Sequence, residues 1–266
     1  MDITLVQLDI CYKNRQENLN KLGTLLERCD GVGDLVLLPE LFTTGYLFEQ
    51  PDEIHQLAEP MTNSSDTVSY LTRLAQKFQT TFVAGLAEKV ESRYYNTVVV
   101  VDAKGLVNQY RKMALTNIDK QYFSRGSELV TFTVDGVRFG IAICFDLWFP
   151  EVIGEYSRRN IDVLLHPANF GGEQSLQIAQ TRAIENNFHV ITCNRVGEEI
   201  TTEVAGRYCG KSQVVSPLGE LIFCASEHEE VKTVTINIDS TIKKKVLGVD
   251  LDTERKSIIN AIKELR

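Results

Sequence analysis

The chain has no dense run of lysine and arginine, and its 28 basic residues are outnumbered by 36 acidic ones, a formal charge of −8. That balance argues against a nucleic-acid groove. No apolar stretch reaches the ~18 to 20 residues of a spanning helix, and Met1 to Asp9 has neither a basic start nor a long apolar core. The expectation is a soluble, cytoplasmic protein with no membrane partner. Six cysteines, at positions 11, 29, 144, 193, 209 and 224, form no C-x-x-C pair. Neither a zinc knuckle nor a thioredoxin-type couple is therefore suggested, and no metal or other cofactor is expected. There is no low-complexity linker, no evident internal repeat and no obvious boundary. The 266 residues, 43% hydrophobic, are expected to bury a sizeable core as a single domain over 1–266.

Apolar runs of strand length alternate with amphipathic stretches. The runs include Ile3 to Leu8, Leu35 to Leu38, Thr81 to Leu86, Thr97 to Val101, Leu106 to Tyr110, Val137 to Ile143, Val163 to His166, Val190 to Cys193 and Thr233 to Ile238. Buried strands are the economical explanation. Asn14 to Arg28, Ser65 to Phe78 and Glu173 to Asn187 carry helical spacing, the second opening with Ser/Asp cap chemistry. Asp102-Ala103-Lys104-Gly105 and Ser216-Pro217-Leu218-Gly219 sit between apolar runs as hairpin turns, so the α/β fold should hold mixed sheets. Residues 241–266 are charge-rich with Ile258, Ile259 and Ile262 on one helical face.

Three β-like runs end on a reactive side chain: Leu35-Val36-Leu37-Leu38-Pro39-Glu40, Tyr110-Arg111-Lys112 and Gly140-Ile141-Ala142-Ile143-Cys144. A carboxylate, an ammonium and a thiol are the parts needed to attack a carbon that carries nitrogen. A free thiol has a pKa of ~8.5 and a free glutamate ~4.3, so moving the proton from one to the other costs about 6 kcal/mol. Such a site must be dry and must contain a cation. Cys144-Phe145-Asp146-Leu147-Trp148-Phe149-Pro150-Glu151 reads as a strand end, a turn and a proline-initiated helix. A turn of that kind exposes the sulfur and aims the Phe145 N–H at a developing oxyanion. Four histidines, at 55, 166, 189 and 228, are available for a Cys–His pair. None carries a local signature for one, and His166 is read as a core or rim residue.

In order and separation, these segments resemble the nitrilase superfamily of carbon–nitrogen hydrolases. Leu41 to Tyr46, Tyr95-Asn96-Thr97, His166-Pro167-Ala168-Asn169, Asn194-Arg195-Val196-Gly197 and Gly210-Lys211-Ser212 extend the match. The resemblance implies a four-layer αββα sandwich of two mixed sheets. It implies Glu40 as general base, Lys112 as oxyanion stabiliser and Cys144 as nucleophile. It also implies a second acid between the Lys and Cys segments, where this chain has Asp119 in place of the usual Glu, and Arg125 in place of Pro before Gly126; Glu128 reads as surface. Tyr46, Trp148, Asn169 and Phe170 are candidates for the substrate-pocket wall beside Phe145. Trp148 stands where many members carry Arg, which argues against a dicarboxylic ω-amide. The implied activity is hydrolysis of a small linear amide or N-carbamoyl (ureido) compound through a thioester. A nitrile substrate and a catalytically silent binding protein are the alternatives. The implied partner is a second copy of the chain, contacted by the arm at about 241–266 in a homodimer or larger homo-oligomer.

Overall fold

The computed structural model describes residues 1–238 and 245–264. The chain divides into two compact units, Met1–Ile236 and Asn237–Arg266. In the first unit the strands are β1 (Asp2–Gln7), β2 (Leu35–Leu37), β3 (Thr81–Val90), β4 (Arg93–Asp102), β5 (Gly105–Arg111), β6 (Thr131–Val134) and β7 (Val137–Ile141). They continue with β8 (Val163–Pro167), β9 (His189–Cys193), β10 (Val196–Ile200), β11 (Ala205–Cys209), β12 (Gln213–Val215), β13 (Leu221–Cys224) and β14 (Glu230–Thr235). The helices are α1 (Arg15–Glu27), the single turn α2 (Ile54–Leu57), α3 (Asp66–Phe78), the single turn α4 (Asp119–Tyr122), α5 (Pro150–Arg158) and α6 (Gln174–Asn186).

Two six-stranded sheets result, ordered β14-β1-β2-β3-β4-β5 and β13-β12-β9-β8-β7-β6, and both are mixed. Alternation along each strand sends one set of apolar side chains to helices and the other to the opposite sheet. Val36, Leu38, Phe82, Ala84 and Val99 pack with Leu19, Leu22 and Leu26 of α1 and Val68, Leu71 and Ala75 of α3. Leu164, Val190 and Val215 pack with Ile153 and Tyr156 of α5 and Ala179 and Ala183 of α6. Between the sheets, the Cys193 sulfur lies 3.4 Å from the carbonyl oxygen of Val6 and 3.2 Å from that of Leu37. The layers are α, β, β, α, and both expected hairpin turns are present between β4 and β5 and between β12 and β13.

The sheets repeat one topology. β1-α1-β2-α3-β3-β4-β5 and β7-α5-β8-α6-β9-β12-β13 share parallel central strands and antiparallel flanks, with β14 and β6 closing the equivalent edges. Leu35 faces Ile3 and Thr81 just as Val163 faces Phe139 and His189. α3 and α6 both end on a left-handed residue, Gln79 at φ +53° and Asn187 at φ +59°. The repeat escapes sequence reading because one short stretch, Asp34 to Phe42 against Asp162 to Phe170, keeps Asp, Leu, Pro and Phe in register while the rest has diverged.

One local expectation fails. The Ser65 hydroxyl does not cap α3 but donates to the Thr62 carbonyl at 2.7 Å. The buried carboxylate of Glu59 caps the helix instead, accepting the Thr67 N–H at 3.1 Å. In the second unit, β15 (Lys245–Val246) and β16 (Val249–Asp250) form a hairpin ahead of α7 (Leu251–Glu264), which carries Ile258, Ile259 and Ile262. Of the expected arm, residues 241–244 and 265–266 lie outside the described residues.

Candidate active site

Glu40 leaves β2 through Leu38-Pro39, and Leu41 after it takes a left-handed φ of +48° that swings the carboxylate inward. Gly85 of β3 makes that turn possible. A Cβ there would sit 2.6 Å from the Glu40 Cα, the Leu41 nitrogen and the Pro39 oxygen. Lys112 follows the last residue of β5, and of the Arg111-Lys112 pair only Lys112 is fully enclosed. The Arg111 guanidinium stays at the rim on Glu88 at 2.6 Å.

Inside, the Lys112 ammonium donates to Glu40 Oε1 at 2.7 Å and to Asp119 Oδ2 at 2.8 Å, with all three side chains out of reach of solvent. The shorter acid therefore does reach the centre, because α4 brings Asp119 up as a single turn. The Thr116 N–H and hydroxyl hold the same Oδ2 at 2.9 and 3.0 Å. The Tyr46 hydroxyl is 2.6 Å from Thr116 Oγ1, and its ring lies 5.4 Å from Lys112 Nζ. Asn96 of β4 donates to Glu40 Oε1 at 2.6 Å.

Cys144 is reached from the other sheet. Beyond β7 the backbone turns at Cys144 with φ +44°, a strained value for a residue with a Cβ. A 3-10 turn over Cys144–Trp148 leads to Pro150 at the first turn of α5. Asp146 locks this elbow. Its buried carboxylate accepts from the Ile143 N–H at 2.9 Å, the Ala114 N–H at 2.6 Å, the Met113 N–H at 3.1 Å and the Tyr110 hydroxyl at 2.8 Å. One side chain thus ties the cysteine turn to the segment that carries Lys112. Asn169, after β8, makes the other tie: its side chain donates to the Glu40 carbonyl at 2.9 Å, and its own carbonyl is 3.8 Å from the Cys144 sulfur. His166 is fully buried, with Nε2 3.0 Å from the Cys144 carbonyl oxygen and Nδ1 3.0 Å from Thr192 Oγ1.

Burial sets the electrostatics. It pushes the Glu40 carboxyl above the usual carboxylate value, against the pull of Lys112. It also raises the Cys144 thiol, with the Glu40 charge adding to the effect, so the sulfur rests protonated. Burial works against the Lys112 ammonium as well, but Glu40 and Asp119 outweigh it and hold this lysine well above its ordinary value. His166 is driven down to about 4 by burial and stays neutral. The cluster has a cation fixed between two carboxylates and a thiol that keeps its proton until something moves it.

The structure gathers Glu40, Lys112, Asp119, Tyr46, Asn169 and Cys144 into one linked cluster. Phe170 is placed differently, stacked on His166 at 6.3 Å with its backbone held by Asn194. Trp148 is exposed and, with Phe149, flanks the Phe145 ring. Arg125 donates to the Met113 carbonyl, and Glu128 is exposed. Sequence reasoning assigned no task to Asn96, Thr116 or Asp146. An Asp two residues beyond a candidate nucleophile, inside the strand-to-helix turn, was the available signal for the last.

Over residues 2–245 the chain matches the carbon-nitrogen hydrolase family. It belongs to that family. This carbon–nitrogen hydrolase is 34% identical over 230 residues to a nitrilase of Pyrococcus abyssi, covering 86% of each chain. It is 32% identical to the 2-oxoglutaramate amidase of Bacillus subtilis over 96% of its own length and 98% of the relative's. Among solved structures it is similar to Saccharomyces cerevisiae Nit3, a member of branch 10 of the nitrilase superfamily. The TM-score is 0.79 at 25% identity, covering 97% and 94% of the two chains. The fold and the enzyme class, an amidase or nitrilase type of carbon–nitrogen hydrolase, are thereby settled.

Proposed function

We propose that the protein is a thiol amidohydrolase that cleaves a small linear primary carboxamide or ureido compound, and that it favours these over nitriles. The observation that carries this reading is a set of four buried side-chain oxygens without a hydrogen-bond partner among the described residues: Glu40 Oε2, Asp119 Oδ1, Asn96 Oδ1 and Asn169 Oδ1. All four are acceptors, and all four belong to the cluster around Glu40 and Lys112. The amide orientations of Asn96 and Asn169 follow from their N–H donation to Glu40. Buried acceptors are costly unless a donor arrives. A –CO–NH₂ group brings two N–H donors, whereas a nitrile brings none.

In the proposed reaction Glu40 accepts the Cys144 proton as the sulfur bonds to the carbonyl carbon. The Lys112 ammonium and the Phe145 N–H stabilise the resulting oxyanion, a contribution of typically ~3 to 4 kcal/mol for one such donor. Glu40 then gives the proton to the departing nitrogen, ammonia leaves, and a thioester remains. Water attacks that thioester with Glu40 again as base, and the acid departs with the thiol restored. Nucleophile and proton carrier are both side chains, so the scheme needs no cofactor. Raised values at both Glu40 and Cys144 fit a proton passed directly between them during attack. The test is ammonia release from a panel of aliphatic amides, ω-amides, N-carbamoyl amines and nitriles, beside Cys144→Ala. Amide or ureido turnover that vanishes in the variant is expected. Turnover confined to nitriles, or surviving in Cys144→Ala, would overturn the reading.

A further inference from the structure

Arg195 and Glu199 form an ion pair in which neither side chain reaches solvent, and no step of the proposed reaction uses it. Taking two charges out of water is costly, and a packed apolar pair would serve a core as well. What the pair touches gives its use. Glu199 lies in β10, which forms with β11 a two-stranded sheet apart from the six-stranded ones. Its Oε2 accepts the Tyr46 N–H at 3.0 Å, the Leu47 N–H at 2.9 Å and the Tyr208 hydroxyl at 3.0 Å, while the Arg195 guanidinium donates to Oε1. Arg195 is itself held over the Tyr208 ring at 4.3 Å.

The segment that Glu199 grips, Leu41 to Glu49, follows Glu40 and forms neither strand nor helix. Buried N–H groups in such a loop need an acceptor, and a carboxylate gives them strong, charge-assisted bonds. Gly45 permits the approach: its φ is +85°, and an added Cβ would strike Glu199 Oε1. The grip is returned from the loop, where Glu49 accepts the N–H of Thr202, in the turn joining β10 and β11, at 3.0 Å and its hydroxyl at 2.7 Å. From Tyr46 the line continues to the reacting groups. Thr116 Oγ1 receives the Asp119 N–H at 3.0 Å and gives its own hydrogen to Asp119 Oδ2 at 3.0 Å, so the Tyr46 hydroxyl, 2.6 Å away, is the donor to it. Asp119 Oδ2 accepts from the Lys112 ammonium at 2.8 Å, and the Tyr46 ring lies 5.4 Å from that nitrogen. A drifting loop would carry the Tyr46 hydroxyl off Thr116 and loosen the acid that fixes the cation.

We propose that Glu199 is a positioning residue for catalysis: through the loop it grips, it sets the Tyr46 hydroxyl on Thr116 and thereby the Asp119–Lys112 pair. The proposal rests on the role given above to Lys112 and not on the choice between amide and nitrile. It assigns the β10–β11 hairpin a task in the reaction, although none of its residues touches the reacting atoms.

The experiment is a double-mutant cycle on kcat, read as ammonia release in the wild type, Glu199→Asp, Tyr46→Phe and the double variant. Glu199→Asp keeps a charge beside Arg195 but draws the carboxylate back from the loop. It should lower kcat about tenfold or more with a smaller change in KM. In the Tyr46→Phe background the same substitution should lower kcat by about twofold or less. Glu199→Gln separates reach from charge, since it keeps an oxygen for the two N–H groups and loses the pairing with Arg195. It should melt at a lower temperature than Glu199→Asp and yet turn over faster. A kcat loss equal in both backgrounds, or one that follows melting temperature across the variants, makes Glu199 a part of the core alone and overturns the proposal. Should Glu199→Asp not fold, Glu49→Ala at the exposed end of the same clamp carries the cycle; coupling to Tyr46→Phe is expected, and additivity overturns it. If no amide or ureido compound releases ammonia, the amidase reading falls separately. The cycle is then read on nitrile turnover or, with no turnover at all, on the rate of Cys144 alkylation by iodoacetamide, which the nearby Lys112 charge favours. The same two outcomes decide it.

Discussion

His166 Nε2 lies 3.0 Å from the carbonyl oxygen of Cys144, so this histidine supports the backbone of the cysteine turn. It is a positioning residue. A donor at that carbonyl helps hold φ at +44°, a conformation that a Cβ disfavours.

The same histidine should register in acid stability. Its pKa falls from 6.5 to about 4 in the folded protein. Below about pH 6.5 the unfolded chain binds a proton that the native state refuses, so stability drops as pH falls toward 4. Urea unfolding at pH 7 and pH 5 should show the wild type losing about 2 kcal/mol more than His166→Gln. Equal losses would show that His166 charges freely in the fold.

Asp119 should matter both to stability and to rate. Asp119→Ala strands the Lys112 ammonium with one carboxylate where it has two, and leaves Thr116 without its acceptor. A loss of about 3 kcal/mol in chemical denaturation is expected. Asp119→Asn keeps the shape and an acceptor; its stability loss should be smaller, while kcat falls at least tenfold because Lys112 is less firmly charged. If Asp119→Asn retains full kcat, the second acid is a structural strut only.

The rate should respond to pH on one side. Glu40 must be ionised to take the thiol proton, and its pKa is raised by burial. The acid limb of kcat/KM should therefore have its midpoint above the ordinary glutamate value of about 4.3. Lys112 stays charged well beyond the usual lysine range, so it should contribute no alkaline loss below about pH 10. Glu40→Gln should abolish acylation; an acid limb that survives in its residual activity belongs to another group.

Gly85 offers a test of how the carboxylate is aimed. An added methyl would lie 2.6 Å from the backbone of Pro39, Glu40 and Leu41, none of which is a flexible side-chain tip. Gly85→Ala should destabilise by about 2 kcal/mol or more through overpacking. It should also depress kcat more than KM, since Glu40 is displaced. A thermally normal, fully active Gly85→Ala would mean that the turn yields easily.

The fold was legible because its strands are short apolar runs bounded by turn chemistry, and Leu35 to Leu38 or Val163 to His166 admit few other readings. The reactive trio was legible for a related reason. Glu40, Lys112 and Cys144 each stand where a strand runs out, and their order along the chain resembles a known family. What the sequence concealed depends on contacts between distant segments. The four bonds of Asp146 reach residues up to 36 positions away. Whether the Asp119 carboxylate would arrive at Lys112 depended on how α4 docks, which composition does not reveal. The Glu59 cap of α3 was hidden similarly, since Ser65 had the right chemistry at the right place but a nearer acceptor in Thr62.

The doubled topology has a consequence for how the labour is divided. Glu40 follows β2, and Asn169 follows the equivalent strand β8; Cys144 follows β7, whose counterpart β1 ends near Leu8. The first copy holds the groups that handle charge and protons, and the second holds the sulfur together with the amide that braces it. Neither copy alone contains a working set, so the reactive centre exists only where the two sheets face each other, as a property of their pairing.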